Sequence, residues 1–339
     1  MNFDALDWRR LDRLRGLFLG GEFGGGAYWQ DTADLALYDA TLGERIGWKW
    51  DAVLRELARR NWAPPPGCEL WDWGCGSGVA SRRVLAQWPE MFTRLRLTDH
   101  SSLATEFATQ RALESRPGFP VQTGPRPEDA TAPYVLCVSH VWNELDPLVG
   151  AALCRVAAQA AAVIWVESGT HSVARSLQAI RTDLVTVAGH QVIAPCTHQA
   201  ACGLLTTGNE RHWCHHFANP PPDIFADSDW VRFGQRAGVD LRSLPYAFLV
   251  TEANPRPRSS AEPSDLQRVL GSPRVYKGYS RVQFCGAGGV VELEVQQRTS
   301  PAVYKAWAKE RGGDFYQVTA ESKRPERAAK IAAWPPSPE

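Results

Sequence analysis

The chain has 339 residues, 44% of them hydrophobic, with Lys plus Arg and Asp plus Glu equal at 37 each. That is enough apolar material for a sizeable core in one large domain or two smaller ones. The balanced charge excludes a global field that would steer the chain to nucleic acid or membrane, so a polyanion would have to be met by a local patch.

Residues 1–65 read as a helical N-terminal region broken by the glycine-rich turn Gly20 to Gly26. Its opening is arginine-rich yet carries Asp4, Asp7 and Asp12, which suits neither a transit peptide nor a secretory signal, and the expected location is the cytoplasm. Ile46, Trp50, Val53, Leu54 and Leu57 recur at helical spacing and predict a buried stripe. Arg45, Trp48 and Lys49 fall off that stripe, on an expected polar face. The prolines of Ala63 to Gly67 stop the helix and mark an expected boundary.

Residues 66–190 alternate short apolar runs with helical stretches, which predicts a doubly wound parallel α/β sheet. The longest apolar run, Val156 to Val166, is too short to span a bilayer, and no membrane partner is expected. Residues 191–315 hold a cysteine- and histidine-rich stretch, a strand at 244–253, an exposed loop at 254–264 and a β-hairpin turned on Gly286 to Gly289. A helix from about Ala302 ends at Gly312 and Gly313, and residues 316–339 are expected to form a flexible tail. From Asn254 onward 14 basic residues face 9 acidic ones, making this third the better candidate for an RNA-facing surface.

Between the first strand and the first helix of the core lie Asp72, Gly74, Gly76 and Gly78, and Asp99 follows at the end of the second strand, 21 residues beyond Gly78. Glycines there let the backbone turn and approach a ligand, and an acid at that strand end accepts from ribose hydroxyls, so a nucleoside-bearing cofactor is expected. The D-x-G-x-G-x-G pattern resembles the S-adenosylmethionine-dependent methyltransferases. That resemblance implies Asp72 near the methionine end of the cofactor, the loop glycines along it and Asp99 on the ribose. Ser139, His140, Asn143 and Glu144 reach the sheet's carboxyl edge as pocket residues, Ser139 and His140 toward the cofactor, His140 and Glu144 as candidate general bases. The Asn/Asp-Pro-Pro-Tyr pattern of amino-methylating enzymes and the cysteine nucleophile of cytosine C5 methyltransferases are both absent there.

Cys196, Cys202 and Cys214 are separated by five and eleven residues, unlike the tight pairs of zinc ribbons. Zinc could add His198, His212, His215 or His216, whereas an iron–sulfur cluster prefers four thiolates. Cys68 precedes the first strand, Cys75 lies in the glycine loop, Cys137 in the fourth strand and Cys154 in a helix, places where small buried cysteines are common. Cys285 opens Cys-Gly-Ala-Gly-Gly, whose glycines admit backbone amides to a metal-bound sulfur, and it is the candidate fourth ligand. The compact three-cysteine motif of radical S-adenosylmethionine enzymes is absent.

The ordered set RIGWKW, WDWGCGSG, SHVWNEL, VESGT, APCTHQAAC, WCHHF, FCGAGG and YKAWAKERGGD resembles the methyltransferase-like family of the ribosomal small subunit, from about Trp8 to Asp314. The mitochondrial members of that family assist small-subunit assembly. The resemblance implies a four-iron four-sulfur cluster on Cys196, Cys202, Cys214 and Cys285 and association with small-subunit ribosomal RNA. Gly203 and Ser168 stand where the family tends to carry proline, which affects loop rigidity more than ligand count. The expectation is an RNA-binding assembly factor acting as a monomer. The alternatives are an active ribosomal RNA methyltransferase and a zinc-holding RNA-binding protein.

Overall fold

The computed structural model describes residues 2–20, 29–255, 265–309, 314–321 and 324–333. Most of the glycine-rich turn at 20–26, most of the loop at 254–264, and Gly312 and Gly313 lie outside the described residues.

Three helices form the N-terminal layer: α1 (Trp8–Gly20), α2 (Thr32–Tyr38) and α3 (Glu44–Arg59). Asp31 caps α2 by accepting from the Asp34 amide at 3.1 Å, and the fully buried Asp34 carboxylate gathers Arg10 and Arg13 of α1. The stripe on α3 is buried at Trp50, Val53, Leu54 and Leu57 and half-buried at Ile46. Trp48 departs from the expected polar face: it is buried against Trp230, with ring centroids 4.9 Å apart. The helix is covered on two sides, so a one-stripe reading underestimates its burial. Leu11, Trp50 and Leu57 share one apolar cluster with Leu70, Leu95 and Ile164 of the sheet, so the Ala63 to Gly67 turn lies within a continuous core.

The sheet follows with β1 (Cys68–Trp73), α4 (Val79–Gln87), β2 (Phe92–Thr98), α5 (Ser102–Ser115), β3 (Val121–Thr123), β4 (Tyr134–Ser139), α6 (Pro147–Gln159), β5 (Ala162–Ser168) and α7 (His171–Thr186). It continues through β6 (Gln191–Ala194), β7 (His216–Ala218), α8 (Ser228–Ala237) and β8 (Leu244–Glu252). The strand order is β3-β2-β1-β4-β5-β8-β6, with β7 also on β8. The first five strands pair in parallel, as their near-continuous apolar runs anticipate. β8 runs antiparallel to β5, β6 and β7, so the sheet is mixed, and it extends beyond residue 190 to Glu252.

A second body closes the chain: β9 (Leu266–Tyr276), β10 (Tyr279–Gly286), β11 (Gly289–Gln296), α9 (Pro301–Ala308), β12 (Phe315–Glu321) and β13 (Arg324–Ala333). The strands form a closed barrel in the order β10-β11-β13-β12-β9. β10 and β11 are the strand pair turned at Gly286–Gly289. Residues 316–333, expected to be a frayed tail, supply two of the five strands. Tyr316, Val318, Ala328 and Ile331 are buried with Phe284, Leu293 and Trp307 of the barrel, and the Trp307 indole donates to the Tyr316 hydroxyl at 2.8 Å. Among the described residues no helix is long and apolar enough to cross a membrane.

Candidate functional site

The loop between β1 and α4 is tied to the end of β2, with the Gly74 and Cys75 amides donating to the Thr98 carbonyl at 2.7 and 3.0 Å. Gly74 has φ +70°, and a Cβ there would lie 2.6 Å from Cγ1 of Val141. Left-handed strain and this contact act together, so Gly74→Ala should cost about 1–3 kcal/mol. Thermal unfolding should show the loss. Gly76 has φ +50° with open space where a Cβ would point, and its amide donates to Asp99 Oδ2 at 2.9 Å.

This loop opens on a cavity of about 820 Å³, a size that suits a small ligand. Gly74, Gly76, Asp99, Ser139, His140, Asn143 and Glu144 line it. Asp72 and Gly78 lie behind that wall. The fully buried Asp72 accepts from the Ser81 amide at 3.3 Å, tying β1 to the first turn of α4, and burial pushes its carboxyl up to about 6. A Cβ on Gly78 would lie 2.9 Å from that of Ala108, which makes its role packing. Asp99 accepts from the Gly76 amide on Oδ2 and from the Ser101 amide, at 3.0 Å, on Oδ1, which also lies 3.3 Å from His100 Nδ1, so the further lone pair is on Oδ2.

Ser139 accepts from the Trp50 indole at 2.9 Å, so α3 locks the end of β4. His140 adopts φ +56°, and its Nε2 lies 3.1 Å from Lys49 Nζ. Burial, reinforced by Lys49, holds this imidazole well below its usual value, so it is neutral. Burial and Arg45 push the Lys49 ammonium down to about 8. With Lys49 donating, Nε2 is the acceptor and Nδ1 carries the proton. Beneath them Glu167 is fully buried, one oxygen accepting from the Val141 and Trp142 amides and the Trp165 indole at 3.2, 3.1 and 2.9 Å. Burial pushes its carboxyl up to about 7. Sequence reasoning missed Lys49 and Glu167: Lys49 meets His140 only because α3 folds over β4, and Glu167 reads as part of an apolar strand.

The four cysteines of the second candidate site come from three parts of the fold: Cys196 and Cys202 after β6, Cys214 before β7, and Cys285 on β10. Burial, with Cys196 and Cys202 nearby, pushes the Cys285 thiol up to about 12. Burial, then Cys196, Cys285 and Cys202, against an opposing effect of Arg268, raises Cys214. Each thiol thus lies within the electrostatic reach of the others. Among the described residues no three Cys, His, Asp or Glu side chains form a ready metal-holding group. Arg181 Nε donates to Cys196 Sγ at 3.2 Å, His216 Nε2 lies 3.5 Å from Cys214 Sγ, and His198 Nε2 lies 3.9 Å from Cys285 Sγ. His212 pairs with Arg211, and His215 stacks on Trp213 at 4.6 Å.

A buried charge network holds this segment between the two bodies. Glu56 of α3 accepts from Arg268 of β9 at 2.7 and 3.0 Å and from Arg60 at 3.1 Å. Arg60 also donates to the Ile193, Pro195 and Cys196 carbonyls, and Arg268 to Pro195. Gly203 seats directly on β11, where a Cβ would lie 2.8 Å from Gly289 Cα.

Among solved structures the chain is similar to the magnesium protoporphyrin IX methyltransferase of Synechocystis PCC 6803, at 13% identity over 74% of this chain and 97% of that one, TM-score 0.39. It is similar to the precorrin-6y C5,15-methyltransferase of Geobacter metallireducens, at 13% identity over 59% and 87%, TM-score 0.34. It is also similar to the geranyl diphosphate C-methyltransferase of Streptomyces coelicolor, at 14% identity over 60% and 78%, TM-score 0.34. No individual curated protein sequence matches the chain. The family model described as mitochondrial small ribosomal subunit Rsm22 matches residues 51–317, which is most of the chain, and the chain belongs to the Rsm22 family.

Proposed function

We propose that this protein binds S-adenosylmethionine in the cavity beside the glycine loop, binds small-subunit ribosomal RNA, and acts as a monomer in small-subunit assembly. The observation that carries the cofactor assignment is the Gly76 amide clamped to Asp99 at the rim of that cavity. The glycine backbone allows close approach, and the spare lone pair on Asp99 Oδ2 suits a ribose hydroxyl. Bound S-adenosylmethionine supplies an electrophilic methyl group. Transfer to a ring nitrogen or hydroxyl then needs the acceptor held in line and its proton removed. Glu144 lines the cavity as a carboxylate for that proton. His140, its Nε2 engaged by Lys49 and its Nδ1 buried, is poorly placed to act as base. Calorimetry is the test: the native protein should bind S-adenosylmethionine, and Asp99→Ala should bind it roughly tenfold more weakly, one charge-assisted hydrogen bond being worth about 1.5–3 kcal/mol. No binding by the native protein would remove the enzyme reading and leave the RNA-binding one.

We further assign a four-iron four-sulfur cluster to Cys196, Cys202, Cys214 and Cys285. The chemistry of the donors supports it: four thiols within electrostatic reach of one another, with Arg181 and Arg268 close enough to offset the negative charge of a thiolate-bound cluster. Four interposed irons also hold thiolates further apart than one tetrahedral ion does, in keeping with sulfurs that neighbour one another without forming a tight group. All eight cysteines are free, which suits a reducing compartment, the cytoplasm in this proposal. Zinc with His198 or His216 is the second reading, favoured by the nearness of those imidazoles to Cys285 and Cys214. Iron, sulfide and zinc analysis of anaerobically purified protein decides between them.

A further inference from the structure

The C-terminal barrel stands apart from the cofactor cavity, and its topology, charge and surface chemistry converge on one kind of partner. Its strands close in the order β10-β11-β13-β12-β9, β11 and β13 pair in parallel, and α9 separates the third strand from the fourth. This is the arrangement of an OB-fold, whose second and third strands and adjoining turns present an outer face to oligonucleotides. Residues 266–333 carry twelve Lys or Arg against six Asp or Glu in a chain of zero net charge, so the barrel is basic and the remainder acidic.

Alternation along β10 sends Ser280, Val282 and Phe284 inward and Tyr279, Arg281, Gln283 and Cys285 outward. One end of the outer face is occupied: Cys285 and its register partner Arg268 face the cysteine segment. The other end is open and carries two successive rungs. Tyr276 and Tyr279 are register partners whose rings stack with centroids 4.9 Å apart and 15° between planes, and Tyr276 is 42% exposed. On the next rung Arg274 and Arg281 lie directly opposite each other, a like-charge pairing that a bare sheet disfavours. Arg274 and Arg327 are answered by Glu292 and Glu294. Lys277 and Arg281 are exposed and have no ion-pair partner among the described residues. Exposed aromatic rings give bases a stacking surface, and cations beside them give the backbone phosphates a path. A duplex hides its base faces and cannot use the rings.

We propose that the open end of the β9–β10–β11 face, around Tyr276, Tyr279, Lys277 and Arg281, binds single-stranded RNA. This deepens the RNA-binding part of the function proposed above and is independent of the cofactor cavity. The test is fluorescence anisotropy of the full-length, metal-loaded protein with a labelled single-stranded RNA of about twelve nucleotides, a length within OB-fold site sizes. The same strand annealed to its complement is the comparison. Tyr276→Ala with Tyr279→Ala should weaken single-strand binding roughly tenfold or more. Lys277→Gln with Arg281→Gln should lower the slope of log affinity against log salt by about 1.4. Both double variants should keep the native thermal midpoint and S-adenosylmethionine affinity. Native affinity in both variants, equally tight binding of the duplex, or no single-strand binding by the native protein would each overturn the proposal. Loss of RNA in the variants of a protein that never binds S-adenosylmethionine would support it while the enzyme reading falls.

Discussion

Replacing Glu56 with glutamine should destabilise the protein by roughly 3–5 kcal/mol, the cost of leaving buried cations without their counter-charge. The glutamine keeps nearly the same volume, so the effect is electrostatic. Arg60 and Arg268 are both buried, and Arg268 grips the carboxylate through two nitrogens. Their backbone partners, the Pro195 and Cys196 carbonyls, carry only partial charge. Burial alone would raise the Glu56 carboxyl, but Arg268 and Arg60 reverse that and hold it below its ordinary value. The sign of the pH dependence follows. A depressed folded value means this stability is fully present above the unfolded carboxylate value of about 4.3 and is lost as pH falls through the lower folded value. Denaturant titrations at neutral and acid pH should show the native protein losing its advantage over Glu56→Gln on acidification, whereas a constant gap would refute the assignment. Because the network joins α3, the segment before Cys196 and β9, the variant should also lower iron content. Combining it with Arg268→Met should recover part of the stability, because removing both members of a buried pair costs less than removing one.

What the sequence made legible and what it hid divide along physical lines. β4 and β5 are apolar runs buried on both faces, so strand, helix and parallel order could be read locally. The glycine loop and Asp99 follow from backbone geometry that only glycine tolerates beside a strand end. The barrel was hidden because its last strands are interrupted by Lys, Arg and Pro. In β13 the inward contacts of Ala328 and Ile331 are visible only once β11 and β12 flank them. Asp72 shows a related limit: a carboxylate beside a ligand loop and one buried behind it have the same letters, and here the Ser81 amide holds it behind the cavity wall. The Lys49–His140 pair joins residues 91 apart, and no local pattern encodes it.

Cys285→Ser should abolish the proposed cluster and loosen the barrel from the rest of the chain. A ligand bridge between Cys196 and Cys285 closes a loop of nearly ninety residues, and by analogy with a disulfide over such a length it restricts the unfolded chain by about 4–5 kcal/mol. Serine is a poor iron ligand but nearly isosteric, so the β10 strand should persist. The lost quantities should be iron, sulfide, visible absorption and several degrees of thermal midpoint. Cys154→Ser, on α6 and outside the proposed set, should retain all of them. His198→Ala separates the cluster from zinc held by His198, whose imidazole lies 3.9 Å from the Cys285 sulfur. As a zinc ligand its removal should empty the site, whereas beside a four-thiolate cluster it should leave iron stoichiometry intact. The RNA measurement then asks what the cluster does. Cys285 occupies the closed end of the barrel face whose open end carries Tyr276, Tyr279, Lys277 and Arg281. If the cluster holds that face in register with the sheet, Cys285→Ser should weaken binding of long ribosomal RNA, which spans both bodies. A short single strand, needing only the open rungs, should bind nearly as before. Full iron and sulfide in Cys285→Ser would remove that cysteine from the ligand set.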